Sequence, residues 1–461
     1  MTRIEFVISF VQDQIAAGHW PPGSRIWSIR AAAKDLQVSK NTVAEAYDRL
    51  VALGRLEARA GSGYYVPRHE RRELPSKALS VAHAVDTASL LREQLVKNYE
   101  VRVGEGRPPH AWAGHIEIAP LGTHRRAGAE FDIHGYGNPW GYQALREYLC
   151  QSLNERGISA GQHQVLTTFG GNHALDLIVR QTLEAGDVVL VDSPGYYPLF
   201  AKLHLANVRM VGVRRLENGP DIEDLHAKAA KYRPKLFFTQ SVAHNPTGGT
   251  MSLPVAYRVL QAANQHDFKI VEDDPFADIV PASAPRLAAL DQLERVIYVG
   301  TFSKTLSAGL RLGYLAADEA LTEALSDLKM LTVASSAVYV ERLLYEFIAS
   351  GQYLKHLRKL RSRVAEATAQ SVALLDELGL EVFCRPEIPG YYLWAYLAEG
   401  DDERELVEEA AQQSIFIAPG ALFSPDRALE RAAMRVNIAY VTERKFIDFM
   451  RKRIVGLRGK R

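Results

Sequence analysis

Cysteine is almost absent: Cys150 and Cys384 are the only two in 461 residues, far apart and with no Cys or His at zinc-ligand spacing. Neither a disulfide framework nor a structural metal site is expected, and the pattern suits a reducing compartment. Long uncharged apolar runs are also lacking. The first residues place Arg3, Glu5 and Asp13 around a short apolar stretch, which makes a poor secretory leader, and no run is long enough to span a bilayer. A cytoplasmic protein with no membrane partner is the expectation. Net charge is scarce as well. The 55 Lys and Arg face 54 Asp and Glu, a balance of +1, which excludes a chain basic throughout but allows one basic segment. What remains is 47% hydrophobic, a globular composition that excludes disorder, collagen and coiled coil. At about 100 to 200 residues per domain, the length predicts a multidomain protein.

The charge is unevenly spread. Residues 1–68 hold nine basic side chains (Arg3, Arg25, Arg30, Lys34, Lys40, Arg49, Arg55, Arg59, Arg68) against six acidic ones (Glu5, Asp13, Asp35, Glu45, Asp48, Glu57), a local balance of +3. Ile4, Val7, Ile8, Val11 and Ile15 recur at helical spacing, and Gly18, Pro21 and Pro22 supply the stop. Ser28 is placed to cap a second, short helix through Leu36. After the tight turn at Gln37-Val38, Ser39 can cap a third helix from Lys40 to about Leu53, with Val43, Ala46, Tyr47 and Leu50 inward and Gly54 ending it. Arg55–Arg59 and Tyr64–Val66 then read as two strands joined by Ala60-Gly61-Ser62-Gly63. The pattern is a helix-turn-helix with a hairpin wing.

Such a motif presents the start of its second helix to the major groove, so Ser39, Lys40, Asn41 and Thr42 are candidates for base and phosphate contact. Taken singly, Ser39 can equally be only a cap and Lys40 only a solvated charge. The whole stretch PPGSRIWSIRAAAKDLQVSKNTVAEAYDRLVALGRLEARAGSGYYV closely resembles the winged-helix domain of GntR-type bacterial transcription factors. The resemblance implies that Arg30, Lys40, Asn41 and Thr42 touch DNA and that Gly61 and Gly63 let the wing tip approach the minor groove. Ile26-Trp27 departs from the Leu-Pro pair that the family usually carries before the serine.

Residues 67–84 are charged and proline-bearing without a sustained apolar period, which predicts a linker between a domain at 1–66 and one at 85–461. A helical pattern resumes from Ala88. In the large remainder, strands alternate with helices: Val165–Thr168, Asp187–Val191, Lys235–Thr239, Phe268–Glu272 and Arg295–Val299 are short apolar runs, each followed by a polar loop. This predicts an α/β domain with a mostly parallel sheet and a ligand site at the carboxyl ends of its strands.

Those loops carry the informative residues. His244-Asn245-Pro246-Thr247-Gly248, Asp273-Asp274-Pro275-Phe276, and Thr301-Phe302-Ser303-Lys304 with Arg311 follow in order. Each is weak alone. Together they resemble the fold type I pyridoxal-phosphate enzymes, the aspartate aminotransferase superfamily, over essentially everything after the linker, with a small C-terminal α+β subdomain implied. By that resemblance Lys304 is the lysine that holds the cofactor's aldehyde as an imine. Asp273 keeps the ring nitrogen protonated, Asn245 donates to the phenolic oxygen and Tyr196 stacks on the ring. Gly170, Gly171, Asn172, Thr301, Ser303 and Arg311 cradle the phosphate. Tyr136 is the tyrosine lent by a partner subunit, which implies a homodimer, and Arg435 pairs with a ligand's α-carboxylate, which implies an amino-acid-like ligand. His173 and His244 border the site but read more simply as satisfied loop histidines. Tyr391 and Tyr392 could line the pocket or pack in the small subdomain. Phe276 departs from the family, whose tyrosine here donates to the phenolic oxygen.

A GntR-type winged helix joined to an aminotransferase-like domain resembles the MocR subfamily of regulators. The resemblance implies a head-to-tail homodimer that binds double-stranded DNA and senses an amino-acid or amine effector when the effector takes the cofactor from Lys304 as an external aldimine. The alternative is a catalytically active aminotransferase that carries a DNA-binding segment, since Lys304, Asp273 and Arg435 are all intact.

Overall fold

The computed structural model describes residues 3–52, 55–59, 61–67, 99–113 and 135–459. Most of the expected linker and the helix expected from Ala88 lie outside the described residues. Contacts divide the chain into two units, Met1–Lys77 and Ala78–Arg461.

The first unit is three helices and a hairpin: α1 (Arg3–Ala16), α2 (Ile29–Asp35), α3 (Lys40–Ala52), β1 (Glu57–Arg59) and β2 (Gly63–Tyr65). Val7, Val11, Ala32, Val43, Ala46, Tyr47 and Leu50 face one another in its core, as the periodicity predicts. Ser28 caps α2, its Oγ accepting from the Ala31 N–H at 3.2 Å. Trp27 does not disturb that start. Its ring stacks on Phe10, with centroids 5.8 Å apart, and its carbonyl accepts from the Tyr47 hydroxyl. The wing strands are shorter than the sequence suggests because Leu56 is buried in the helical core, leaving only Glu57–Arg59 to pair with Gly63–Tyr65.

The second unit is built on an eight-stranded sheet of order β3-β10-β9-β8-β7-β4-β5-β6. Its strands are β3 (Val165–Thr168), β4 (Val188–Ser193), β5 (Arg209–Leu216), β6 (Gly219–Pro220), β7 (Leu236–Thr239), β8 (Lys269–Asp274), β9 (Val296–Thr301) and β10 (Gly313–Ala316). The central run β5-β4-β7-β8-β9 is parallel, and β10 runs antiparallel between β3 and β9. β3, β7 and β10 are buried along their whole length, so both faces are covered and the strands read as continuous apolar runs. Covering helices include α4 (Gln143–Glu155), α5 (Gly171–Thr182), α6 (Tyr197–Leu205), α7 (Ile222–Tyr232), α8 (Leu253–His266) and the short α9 (Leu287–Asp291). They are followed by α10 (Glu319–Val333), α11 (Val338–Ala349) and the long α12 (Gln352–Glu377).

A smaller sheet, of order β11-β13-β12, is formed by β11 (Tyr392–Tyr396), β12 (Ala418–Pro419) and β13 (Ala433–Asn437). Together with α12, α13 (Glu403–Gln412) and α14 (Arg444–Gly459) it encloses a separate core that includes Leu360, Leu375, Leu406, Phe446 and Met450. Residues 99–107 join this part of the unit: the Gly104 N–H donates to the Phe416 carbonyl and the Asn437 N–H to the Val103 carbonyl. Among the described residues no helix is long and apolar enough to cross a membrane.

Candidate functional site

The carboxyl ends of β4, β7, β8 and β9 deliver the polar loops to one region. β8 ends on Asp273 and Asp274, which divide their work. Asp274 is buried and points away from the pocket, holding Arg286 at 2.7 Å and the Tyr298 hydroxyl at 2.9 Å. Asp273 remains partly open, and burial pushes its carboxyl up to about 6, opposed by the Gln240 side-chain amide that donates to Oδ2 at 2.6 Å. The same Gln240 side chain accepts from the Asn245 N–H at 2.7 Å, so one residue ties the β8 carboxylate to the loop after β7. Behind them Asp192 accepts from Arg215 at 3.0 Å and from Thr239 at 2.8 Å. His244 is buried between Asp192 and Thr247, and burial pushes its imidazole down to about 4. It is a satisfied loop histidine. His173 is likewise engaged, its Nδ1 accepting from the Phe169 N–H.

Lys304 follows β9. Its ammonium donates to the Gly106 carbonyl, and its own carbonyl accepts from the Tyr391 hydroxyl at 2.6 Å. The neighbouring Thr305 is pinned by Tyr353 and His356, so the backbone carrying the amine is firmly held. Arg435, on β13, is 2% exposed and comes from the other side. Its guanidinium donates to Asn245 Oδ1 at 3.1 Å and to the Gly104 carbonyl at 2.7 Å, and lies over the ring of Tyr392 at 4.6 Å. Its Nε has no partner among the described residues. A buried cation with an unused donor is suited to a carboxylate.

At the start of α5, Gly170 has φ +82, and a Cβ there would meet the Arg311 guanidinium at 3.1 Å. Arg311 is exposed and donates to the Phe169 carbonyl at 2.9 Å, so it lies over the turn. Thr301 and Ser303 are hydrogen-bonded to each other beside it, and a Cβ on Gly171 would lie 3.6 Å from Thr301. Asn172 is exposed in the first turn of the helix. Helix-start N–H groups, two hydroxyls and a cation are the donors that a phosphate would need. Tyr196, at the start of α6, is partly buried, and that burial, with the charge of Asp273 adding to it, pushes its phenol up. Tyr136 is 92% exposed. Donors for a phosphate, a carboxylate for a ring nitrogen and an amine for an aldehyde thus meet here, and the residues fit pyridoxal phosphate.

A cavity of about 780 Å³ lies elsewhere, at the amino ends of β7 and β8. Of the cations lining it, Lys235, Lys269 and Arg295 are paired with Asp187, Asp318 and Asp267.

In the first unit, Arg30, Lys40 and Asn41 are exposed. Ser39 caps α3, its Oγ accepting from the Thr42 N–H at 3.0 Å and meeting the Thr42 hydroxyl at 2.8 Å. Gly61 (φ +71) has open space where a Cβ would be, and Arg59 lies over the Tyr65 ring at 4.3 Å.

Comparison with known proteins agrees with both units. Residues 4–66 match the model of bacterial regulatory proteins of the gntR family, and residues 76–451 match aminotransferase class I and II. The probable rhizopine catabolism regulatory protein MocR of Rhizobium meliloti is 30% identical over 416 residues, 86% of this chain and 79% of the relative. The chain belongs to the MocR group of GntR-type regulators. Another relative of this regulator, the uncharacterized HTH-type transcriptional regulator YdfD of Bacillus subtilis (strain 168), is 27% identical over 454 residues, 95% of this chain and 92% of its own. Among solved structures, the kynurenine aminotransferase of Pyrococcus horikoshii superposes with a TM-score of 0.71 at 24% identity, covering 85% of this chain and 97% of that one. The likeness shows the fold, and the family match over residues 76–451 makes it a fold type I aminotransferase domain.

Gln240 and Lys329, which the motifs of this MocR-type chain do not reveal, and Tyr392, which the sequence leaves open, support the site and its surroundings. Gln240 is the first residue after β7, one step beyond the Thr239–Glu272 pair, and so lies level with Asp273 on β8. Tyr392 donates to the Gly106 carbonyl at 2.9 Å. Lys329 is wholly buried in α10 and donates to the carbonyls of Pro139 at 2.7 Å and Thr167 at 2.8 Å, clipping the loop after Tyr136 to β3.

Proposed function

We propose that this regulator binds DNA through residues 1–66, connects through a linker at 67–84, and carries pyridoxal phosphate on Lys304 in a domain at 85–461 that senses an amino-acid or amine effector. The observation that carries the reading is the convergence of Lys304, Asp273, Asn245 and Arg435 on one site in a chain that also holds a winged helix. Pyridoxal phosphate supplies, when bound, an aldehyde that captures amines and a ring that withdraws electrons. Asp273 would hold a proton at the ring nitrogen, Asn245 would donate to the phenolic oxygen and Tyr196 would cover a ring face. Gly170, Gly171, Asn172, Thr301, Ser303 and Arg311 would hold the phosphate, and Arg435 would orient the effector's carboxylate. Arg30, Ser39, Lys40, Asn41, Thr42, Gly61 and Gly63 form the DNA-facing set, in which Ser39 and Thr42 also fix the start of α3.

A head-to-tail homodimer in the cytoplasm completes the reading. Tyr136, Met330, Leu331, Val333 and Tyr339 are all exposed, Leu331 by 82%, and the first lies beside Gly137, where a Cβ would strike Val338. An apolar patch of this kind calls for a covering surface, and a second copy brings Tyr136 to the partner's phosphate cradle.

The test is titration of the protein's own upstream DNA, with the cofactor-loaded protein and a panel of amino acids. Salt-dependent, sequence-specific binding whose affinity changes with one amino acid supports the reading, and binding no tighter than to random DNA refutes it. The intact Lys304, Asp273 and Arg435 also support turnover as a second reading, tested by assaying the same mixtures for keto acid.

A further inference from the structure

Phe276 is fully buried and has no hydroxyl to offer the site. Its ring meets two tyrosines edge-on, Tyr391 at 5.3 Å and Tyr392 at 5.6 Å between centroids. A Cβ on Gly390 would lie 3.1 Å from the Phe276 ring, so the start of β11 is packed tightly against it. The two tyrosines send their hydroxyls to different places. That of Tyr391 donates to the backbone carbonyl of Lys304, whereas that of Tyr392 donates to the Gly106 carbonyl, the same oxygen that accepts from the Lys304 ammonium. The two donors share one acceptor, so the Tyr392 hydroxyl acts on Lys304 Nζ through the Gly106 oxygen between them. The Arg435 guanidinium over the Tyr392 ring fixes the ring from the far side.

We propose that Tyr392 is the positioning residue that tunes the protonation of Lys304 Nζ, supplying from β11 the hydroxyl that Phe276 lacks. A lysine that forms and releases an imine must pass between protonated and neutral states, and its nitrogen needs a neighbour able to donate or accept a hydrogen bond in each. Phenol does both. Gly106 offers only a carbonyl, which accepts an N–H from either form and cannot donate to the lone pair of the neutral one. The inference rests on the reading that pyridoxal phosphate binds Lys304.

Tyr392→Phe removes the hydroxyl and keeps the ring, its packing on Phe276 and its contact with Arg435. Tyr391→Phe is the matched control, since its hydroxyl touches only the backbone of Lys304. The measurement is the pH midpoint of the visible band of each protein loaded with pyridoxal phosphate, together with the cofactor's dissociation constant. Tyr392→Phe should move the midpoint by roughly one pH unit, the size of one lost hydrogen bond, while Tyr391→Phe leaves it in place. A normal band whose midpoint is unmoved in Tyr392→Phe, or moved equally in both variants, overturns this assignment alone. A wild-type protein with no band beyond that of a Lys304→Ala variant overturns the cofactor reading and this inference with it.

Discussion

Replacing Gln240 with leucine tests how the site keeps Asp273 charged. Burial has already lifted this carboxyl to about 6, and the Gln240 amide is the hydrogen bond that opposes the lift. At pH 7 a carboxyl of that pKa is about nine-tenths ionised. A hydrogen bond to a charged group contributes roughly 1.5–3 kcal/mol, so its loss raises the pKa by about one to two units, leaving at most about half of the protein ionised at pH 7. Only the ionised form can hold a proton on a ring nitrogen by charge. The dissociation constant of pyridoxal phosphate, followed by absorbance across the range from acid to mildly alkaline pH, should rise in the wild type only as pH falls through about 6. In Gln240→Leu the rise should begin about one to two units higher, with cofactor binding roughly two- to tenfold weaker at pH 7. Gln240 also accepts from Asn245, and losing that contact weakens binding equally at every pH. A variant that binds more weakly but keeps the wild-type pH profile would therefore refute the argument about Asp273.

Burial pushes the Lys329 amine down to about 8 from 10.5. A lysine with a depressed folded pKa contributes stability that is complete above its unfolded pKa and lost as pH falls through the folded one. The wild type should therefore gain up to about 3 kcal/mol between pH 8 and 10.5 that Lys329→Met does not, a difference visible in paired thermal melts. Parallel curves would show that Lys329 does not titrate in this window. Lys40→Ala should weaken DNA binding similarly on specific and random sequences and lower the salt slope by about one, measured by titration at several salt concentrations. An unchanged slope would remove Lys40 from the phosphate contacts. Ser28→Ala should cost about 1 kcal/mol in the stability of the winged helix, because the Ala31 N–H loses its cap; an unchanged unfolding midpoint would show that water replaces it.

The elements of the large unit could be read from sequence because buried parallel strands are short apolar runs and their ligand loops follow directly. β3, β4, β7, β8 and β9 all lie within a few residues of the expected runs. The motifs single out Lys304, Asp273, Asn245 and Arg435 as candidates, and the fold brings them to one region. Lys329 was not, since LSDLKMLTV reads as an ordinary helix with a surface lysine, and its burial depends on Pro139 and Thr167, far away in the chain. The hydroxyl of Tyr392 finds an acceptor 286 positions upstream, at Gly106, and alternation along a strand cannot distinguish Tyr391 from Tyr392 by destination. The short wing has a similar cause: β propensity marks Arg55-Leu56 as strand, but burial of Leu56 against the helices decides otherwise.

The carbonyls of Gly104 and Gly106, with only Glu105 between them, occupy the two cations that the proposed function gives to a guest, Arg435 and Lys304. This stretch of backbone is a resident competitor. A ligand that claims the donors these carbonyls hold must displace them, so the observed affinity is the difference between two holds rather than the strength of one. The exchange runs both ways: whatever grip the guest gains on Arg435 and Lys304, residues 104–106 give up, and the chain upstream of them is what leads back toward the winged helix.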